Sequence, residues 1–279
     1  MIYEVDGDGP PVVLLHGLPS SGALWRLVVR SLRTQFQCIV VDFPGLGGSP
    51  MLPDGSIAPE RLARELDEVR RELGIASWHL AGHDAGATIA VHYSTLFAHR
   101  TRRLALLSPP VYGSFRPPWF FRLLRKPGLG ELLAPLVIAV LWGWSLERSI
   151  GRGDTEMRAI LNDFKRPFRG RGGARHFLRL VRWGAPSEIL GRAQRVLPRV
   201  EAPTLILHGL EDSIIPRSFA CRAADEIPSC RLEWIEAGHF VPLMAPDKVA
   251  LLLTEFLGEA ERLGDAEPNT PTPSVAAAH

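Results

Sequence analysis

The amino-acid sequence predicts an α/β fold: a mostly parallel sheet flanked by helices and interrupted by one long helical insertion. Three observations predict it. Short blocks rich in Val, Ile and Leu are nearly continuous in hydrophobicity, as strands buried on both faces must be. Stretches of helical period alternate with these blocks, the pattern of a parallel sheet built with crossover helices. Between residues 109 and 198 the alternation stops, for far longer than a loop in a compact domain allows.

Taken in order, the strand blocks are 12–15, 38–41, 78–81, 104–107, 204–207 and 232–235. Helices are predicted over 24–32, over 59–73 with Pro59 at its start and Gly74 at its end, over 85–97 and over 246–257. These elements divide the chain into a first sheet-forming region (residues 1–108), a helical insertion (109–198), a second sheet-forming region (199–262) and a disordered tail (263–279).

At 279 residues, 46% hydrophobic and 22% charged, the chain can bury a sizeable core, which excludes disorder as its main state. A net charge of +2 is no nucleic-acid signature. Three scattered cysteines, Cys38, Cys221 and Cys230, exclude a disulfide framework and point to a reducing compartment. The start of the chain carries no secretory pattern, so a cytoplasmic location is expected. Charge is uneven: residues 115–182 hold fourteen Arg or Lys against five Asp or Glu, a net of +9 that leaves −7 for the rest. Such a basic insertion is either a solvated face or a docking surface for an anionic membrane or a carrier protein. Its apolar stretch 132–146 is shorter than the ~20 residues that cross a bilayer.

The strongest chemical signal is Gly82-His83-Asp84-Ala85-Gly86, set between a predicted strand and a predicted helix. A sharp strand–turn–helix with small residues on either side pushes its central side chain out over the sheet, as in a nucleophile elbow. An Asp before a helix is also a favoured N-cap, but a cap alone does not require the flanking glycines. A carboxylate in that seat gains little by attacking an acyl carbon. Attack on a saturated carbon that bears a halide or an epoxide oxygen instead gives an alkyl ester on the enzyme, which water then opens. The base for that water is expected in His239, which follows the block 232–235 in Ala237-Gly238-His239-Phe240. Its orienting acid is expected in Asp212, with Glu211 as the neighbouring rival, after the block 204–207. His16-Gly17-Leu18-Pro19 closes the first block and offers the Leu18 backbone N–H beside that of Ala85 as an oxyanion pair. The glycine-rich run Asp42-Phe43-Pro44-Gly45-Leu46-Gly47-Gly48-Ser49 reads as a structural turn.

In order, HGLP, DFPGLGGS, GHDAG, a Gly-x-x-Asp turn and GHF resemble the α/β-hydrolase fold along residues 1 to about 260. The GHD elbow resembles the aspartate-nucleophile branch, which holds haloalkane dehalogenases, haloacetate dehalogenases and epoxide hydrolases. That resemblance implies that 109–198 is a helical cap over the site, and that neither metal nor organic cofactor takes part. Beside that family the N-terminus is short, as if the first edge strand were absent, and each subfamily is missing a piece. Haloalkane dehalogenases carry Trp after the nucleophile, where this chain has Ala85, and one subgroup has Asn where this chain has Leu18. The arginines of haloacetate dehalogenases are replaced by Ala85 and Thr88. Epoxide hydrolases use two cap tyrosines, and the insertion holds Tyr112 alone.

Cap donors for the leaving group are therefore sought in Trp119, Trp142, Trp144 and Trp183 for a halide, and in Tyr112 and His176 for an epoxide oxygen. Core packing is the competing fate of each tryptophan. Tyr112, at the junction of sheet and insertion, tips the expectation toward epoxide opening, with dehalogenation as the alternative. A lyase, a cyclase or a binding protein on the same scaffold is the third reading. The expected partner is a small, largely apolar molecule, and the expected state a monomer or homodimer.

Overall fold

The computed structural model describes residues 1–142, 150 and 155–262. Seven strands form one sheet in the order β1-β3-β2-β4-β5-β6-β7. They are β1 (Ile2–Asp6), β2 (Pro11–Leu15), β3 (Gln37–Asp42), β4 (Trp78–His83), β5 (Thr101–Leu107), β6 (Thr204–Gly209) and β7 (Cys230–Ile235). Neighbours from β3 to β7 pair in parallel, while β1 runs antiparallel along β3. All six predicted strand blocks fall within β2 to β7. The sheet begins at an edge strand, β1, that none of the predicted blocks covers. Its alternating Ile-Tyr-Glu-Val-Asp leaves Ile2 and Val5 largely exposed, so it lacks the continuous apolar run by which the others are recognised.

Helices α1 (Arg26–Leu32), α2 (Pro59–Glu72) and α3 (Ala85–Leu96) follow β2, β3 and β4. Pro59 and Glu60 open α2, Arg70 and Arg71 sit in its last turn, and Gly74 beyond it has a φ of 66° that suits glycine. A buried polar knot joins α2 to α3. Asp67 accepts hydrogen bonds from Arg70 at 2.8 Å, Tyr93 at 3.0 Å and Arg100 at 2.5 Å. Toward the C-terminus come α9 (Arg217–Glu226), a single turn α10 (Val241–Met244) and α11 (Pro246–Arg262).

Between β5 and β6 the described residues contain helices and no strand. These are α4 (Trp119–Leu124), α5 (Leu129–Leu136) running on into a π-helical stretch Val137–Trp142, α6 (Thr155–Lys165), α7 (Gly173–Arg182) and α8 (Pro186–Val196). Arg125 fastens this group together, donating to the carbonyls of Val181 and Gly184 at the end of α7. Trp144 and the predicted tail 263–279 lie outside the described residues, as does the side chain of Trp142. The glycine-rich turn after β3 is tied to Asp42, whose carboxylate accepts from the N–H groups of Gly22 and Gly48, each at 2.7 Å. No helix among the described residues is long and apolar enough to cross a membrane.

Candidate active site

The carboxyl ends of β2 and β4, neighbours whose connections leave in opposite directions across the sheet, are where ligands gather in open α/β sheets. Asp84 stands directly after β4 with φ 52° and ψ −122°, a backbone setting that costs a non-glycine residue ~1–3 kcal/mol. Such strain persists only where the surroundings over-determine it, and two glycines do so here. A Cβ on Gly86 would meet the carbonyl oxygens of Leu15 and His16 at 2.4 and 2.6 Å, and one on Gly17 would meet the Asp84 Cβ at 2.6 Å. The Asp84 carboxylate makes no cap bond to α3. Instead its Oδ1 accepts from the Leu18 N–H at 3.1 Å, and the neighbouring Ala85 N–H helps to hold the carboxyl below its ordinary value.

Facing it, His239 places Nε2 3.6 Å from Asp84 Oδ2. Its Nδ1–H donates to Asp212 Oδ2 at 2.9 Å. Asp212 is fully buried, and its second oxygen accepts from the N–H groups of Ile214 and Ile215 at 2.8 and 2.9 Å. The rival Glu211 is exposed. Asp84, His239 and Asp212 thus form one line from cavity to core, with Leu18 and Ala85 at its open end.

The electrostatics follow from that line. Burial opposes charge on His239, but the hydrogen bonds and charges of Asp212 and Asp84 overcome it and raise the imidazole to about 9. Burial would raise both carboxyls, yet His239 outweighs it and holds each below its ordinary value. Two histidines that sequence reasoning missed support the arrangement. His83 donates from Nε2 to the His239 backbone carbonyl at 2.9 Å, and burial, then the neighbouring His239, lowers it to about 4. His208, also buried, donates to the Ile215 carbonyl at 3.2 Å, beside Asp212. The only sequence signal for His83 is its place inside the elbow motif.

A cavity of about 280 Å³ opens on Asp84 and His239. Its walls come from the core, including Phe43, Leu62 and Ile89, and from the insertion, including Phe120, Phe121, Leu180 and Leu190. Few polar groups reach it: Thr88, Arg125 and Trp183 besides Asp84 and His239. Arg125 is already committed to two carbonyls, which leaves Trp183 as the insertion's indole donor on the lining. A separate hollow of about 930 Å³ is lined by Glu60, His92 and Arg192 among others and touches none of Asp84, His239 and Asp212.

Three leaving-group candidates are elsewhere. Tyr112 is fully buried under α9, its ring 5.0 Å from Phe219 with the Arg222 guanidinium 4.0 Å above it. Burial, then the charge of Glu226, raises its hydroxyl above the ordinary phenol value, which makes it a poorer acid. His176 bridges α7 to the turn after β3, with Nε2 2.6 Å from the Gly45 carbonyl. Trp119 is 60% exposed and faces solvent. None of these three lines the cavity. The side chains of Trp142 and Trp144 lie outside the described residues.

Comparison with known proteins gives a consistent family. Residues 10–246 match the family model of the alpha/beta hydrolase fold. A cis-3-alkyl-4-alkyloxetan-2-one decarboxylase of Shewanella oneidensis is 26% identical, over 94% of this chain and 86% of that protein. Haloalkane dehalogenase 2 of Mycobacterium tuberculosis is 27% identical, over 92% and 91%. Among solved structures, a loop variant of a haloalkane dehalogenase from Bradyrhizobium elkanii superposes with a TM-score of 0.77 at 24% identity, covering 94% of each chain, which is likeness of fold.

Proposed function

The chain belongs to the α/β-hydrolase fold family and is an enzyme of hydrolase type; from that premise we propose that it cleaves small apolar substrates at a saturated carbon through a covalent ester on Asp84. The observation that carries this is the pairing of Asp84 with His239 at the floor of an apolar cavity. With Oδ1 held by the Leu18 N–H, Oδ2 attacks the carbon and the leaving group departs with its bonding electrons. His239 then takes a proton from water, whose oxygen adds to the ester carbonyl carbon. The Leu18 and Ala85 N–H groups hold the resulting oxyanion; as it collapses, the departing alcohol takes the proton of the newly added hydroxyl, which restores the carboxylate, and His239 keeps the proton it took from water.

For the leaving group we favour halide. Tyr112, the residue that favoured an epoxide, is packed away from the cavity, and a halide needs no acid. Trp183 is the proposed halide donor, and the dehalogenase relatives support the same choice. A second reading has its own support. In a four-membered lactone the leaving oxygen is a carboxylate, which needs neither an acid nor a halide cradle. Leu18 and Ala85 supply no side-chain cradle, and the Shewanella relative acts on such rings.

Parallel incubation with haloalkanes, epoxides and a cis-dialkyl oxetanone separates these cases. The proposal expects halide release that disappears in Asp84→Asn, and an alkyl adduct on the Asp84 peptide of His239→Gln. Diol or carbon dioxide without halide would transfer the assignment to the epoxide or the lactone.

A further inference from the structure

We infer that the outer face of α4 and α5 docks on a bilayer containing anionic phospholipid. Leu132 is 75% exposed, Trp119 60% and Leu136 54%, the three most exposed large apolar side chains among the described residues. They sit on two consecutive helices that pack on one another. On α5 the solvent side reads Leu132, Pro135, Leu136 and, one turn on, Ala139, while Gly130, Ala134 and Val137 are buried on the other. A surface helix should be polar on its outer side; this one carries Glu131 there and is otherwise apolar, as helices in a core or in lipid are.

Charge identifies the occupant. From 109 to 142 there are four cations, Arg116, Arg122, Arg125 and Lys126, against one carboxylate, Glu131, which is paired with Arg182 at 2.5 Å. Arg116, Arg122 and Lys126 are exposed and have no carboxylate partner among the described residues. An apolar patch on helices that also carry, on α4 and just before and after it, cations without a carboxylate partner matches an interface of hydrocarbon beneath anionic headgroups. Position makes the docking useful. Trp119 faces solvent while Phe120 and Phe121, the next residues of the same helix, line the active-site cavity. Resting on the proposed taste for apolar substrates, a bilayer at this face would hold them dissolved beside the cavity wall.

Flotation with vesicles tests the surface without any turnover. Wild-type chain and Asp84→Asn should both float with phosphatidylcholine vesicles containing about 30% phosphatidylglycerol at low salt, about tenfold more than with phosphatidylcholine alone. High salt should release them. Leu132→Glu/Leu136→Glu and Arg122→Glu/Lys126→Glu should each lower the bound fraction about tenfold while turnover of a water-soluble substrate is unchanged. No flotation, or flotation that survives both pairs, overturns the inference. So does a dimer that Leu132→Glu/Leu136→Glu dissociates without any vesicle binding, which would give the face to a second copy, or retention by an acidic carrier protein alone.

Discussion

His239 must be a base, yet the resting site holds it protonated: at about 9 it is an imidazolium at neutral pH. The ester resolves the conflict. Alkylation removes the charge of Asp84, one of the two anions that raise the imidazole, so the base is released only once there is an ester to hydrolyse. Asp84→Asn should therefore lower the His239 pKa by about 1 unit or more, as read by NMR titration. Its stability consequence has the sign of a raised histidine. The contribution is full below pH ~6.5 and is lost as pH rises through about 9, so wild-type Tm should fall across that window more than that of Asp84→Asn. His83 acts on the same ring through its backbone. His83→Phe removes one hydrogen bond to the His239 carbonyl and should lower kcat by roughly 3- to 10-fold with little change in KM. At this scale the sequence was informative wherever backbone geometry dictates residue type. The elbow glycines, Asp84, His239 and Asp212 were all legible because sharp turns after strands restrict what fits. Tyr112 was misjudged because its position in the chain says nothing of its direction, and α9, far along the sequence, supplies the Phe219 and Arg222 against which it packs.

Two elements carry the site. Helix α3 begins at the proposed nucleophile, and the knot around Asp67 fastens it to α2; the guanidinium and phenol donors around that carboxylate leave it 1% exposed and lowered to about 2, against the opposing effect of burial. Asp67→Ala would leave Arg70 buried without its partner and should cost about 3–5 kcal/mol of unfolding free energy in urea titration. Because the folded pKa lies below the unfolded one, the wild-type contribution is present above pH ~4 and fades as pH falls toward 2. On the other side of the cavity Arg125 spans α4 to the end of α7. Replacing it with Met should lower stability by ~1–3 kcal/mol and enlarge the cavity's substrate range, since two carbonyls lose their donor and the wall its brace. Continuous apolar runs made six strands legible, while β1 escaped notice because its alternating pattern carries Glu4 and Asp6. The walls of the cavity were not legible either. Helical period marks which residues are apolar, but not that Phe120 and Phe121 turn inward while Trp119 turns out.

Across the whole molecule, charge and greasiness are divided unevenly. The core holds the proposed reacting residues over a sheet, and the basic helical segment between β5 and β6 supplies the opposite wall of the cavity. That division was visible as the +9 between residues 115 and 182, while its use was not, because net charge does not say which cations are already paired. The specificity of the enzyme is expected to sit in this segment: Trp183→Phe should reduce halide release roughly 10- to 100-fold, with no loss against a substrate whose leaving group needs no N–H donor. The covalent intermediate itself is tested most directly by a single turnover in water enriched in oxygen-18. Formation and hydrolysis of an ester on Asp84 predicts that the heavy oxygen enters the Asp84 carboxylate and that the first alcohol released is unlabelled. Heavy oxygen in that first alcohol, with none on Asp84, would mean that water attacks the substrate directly.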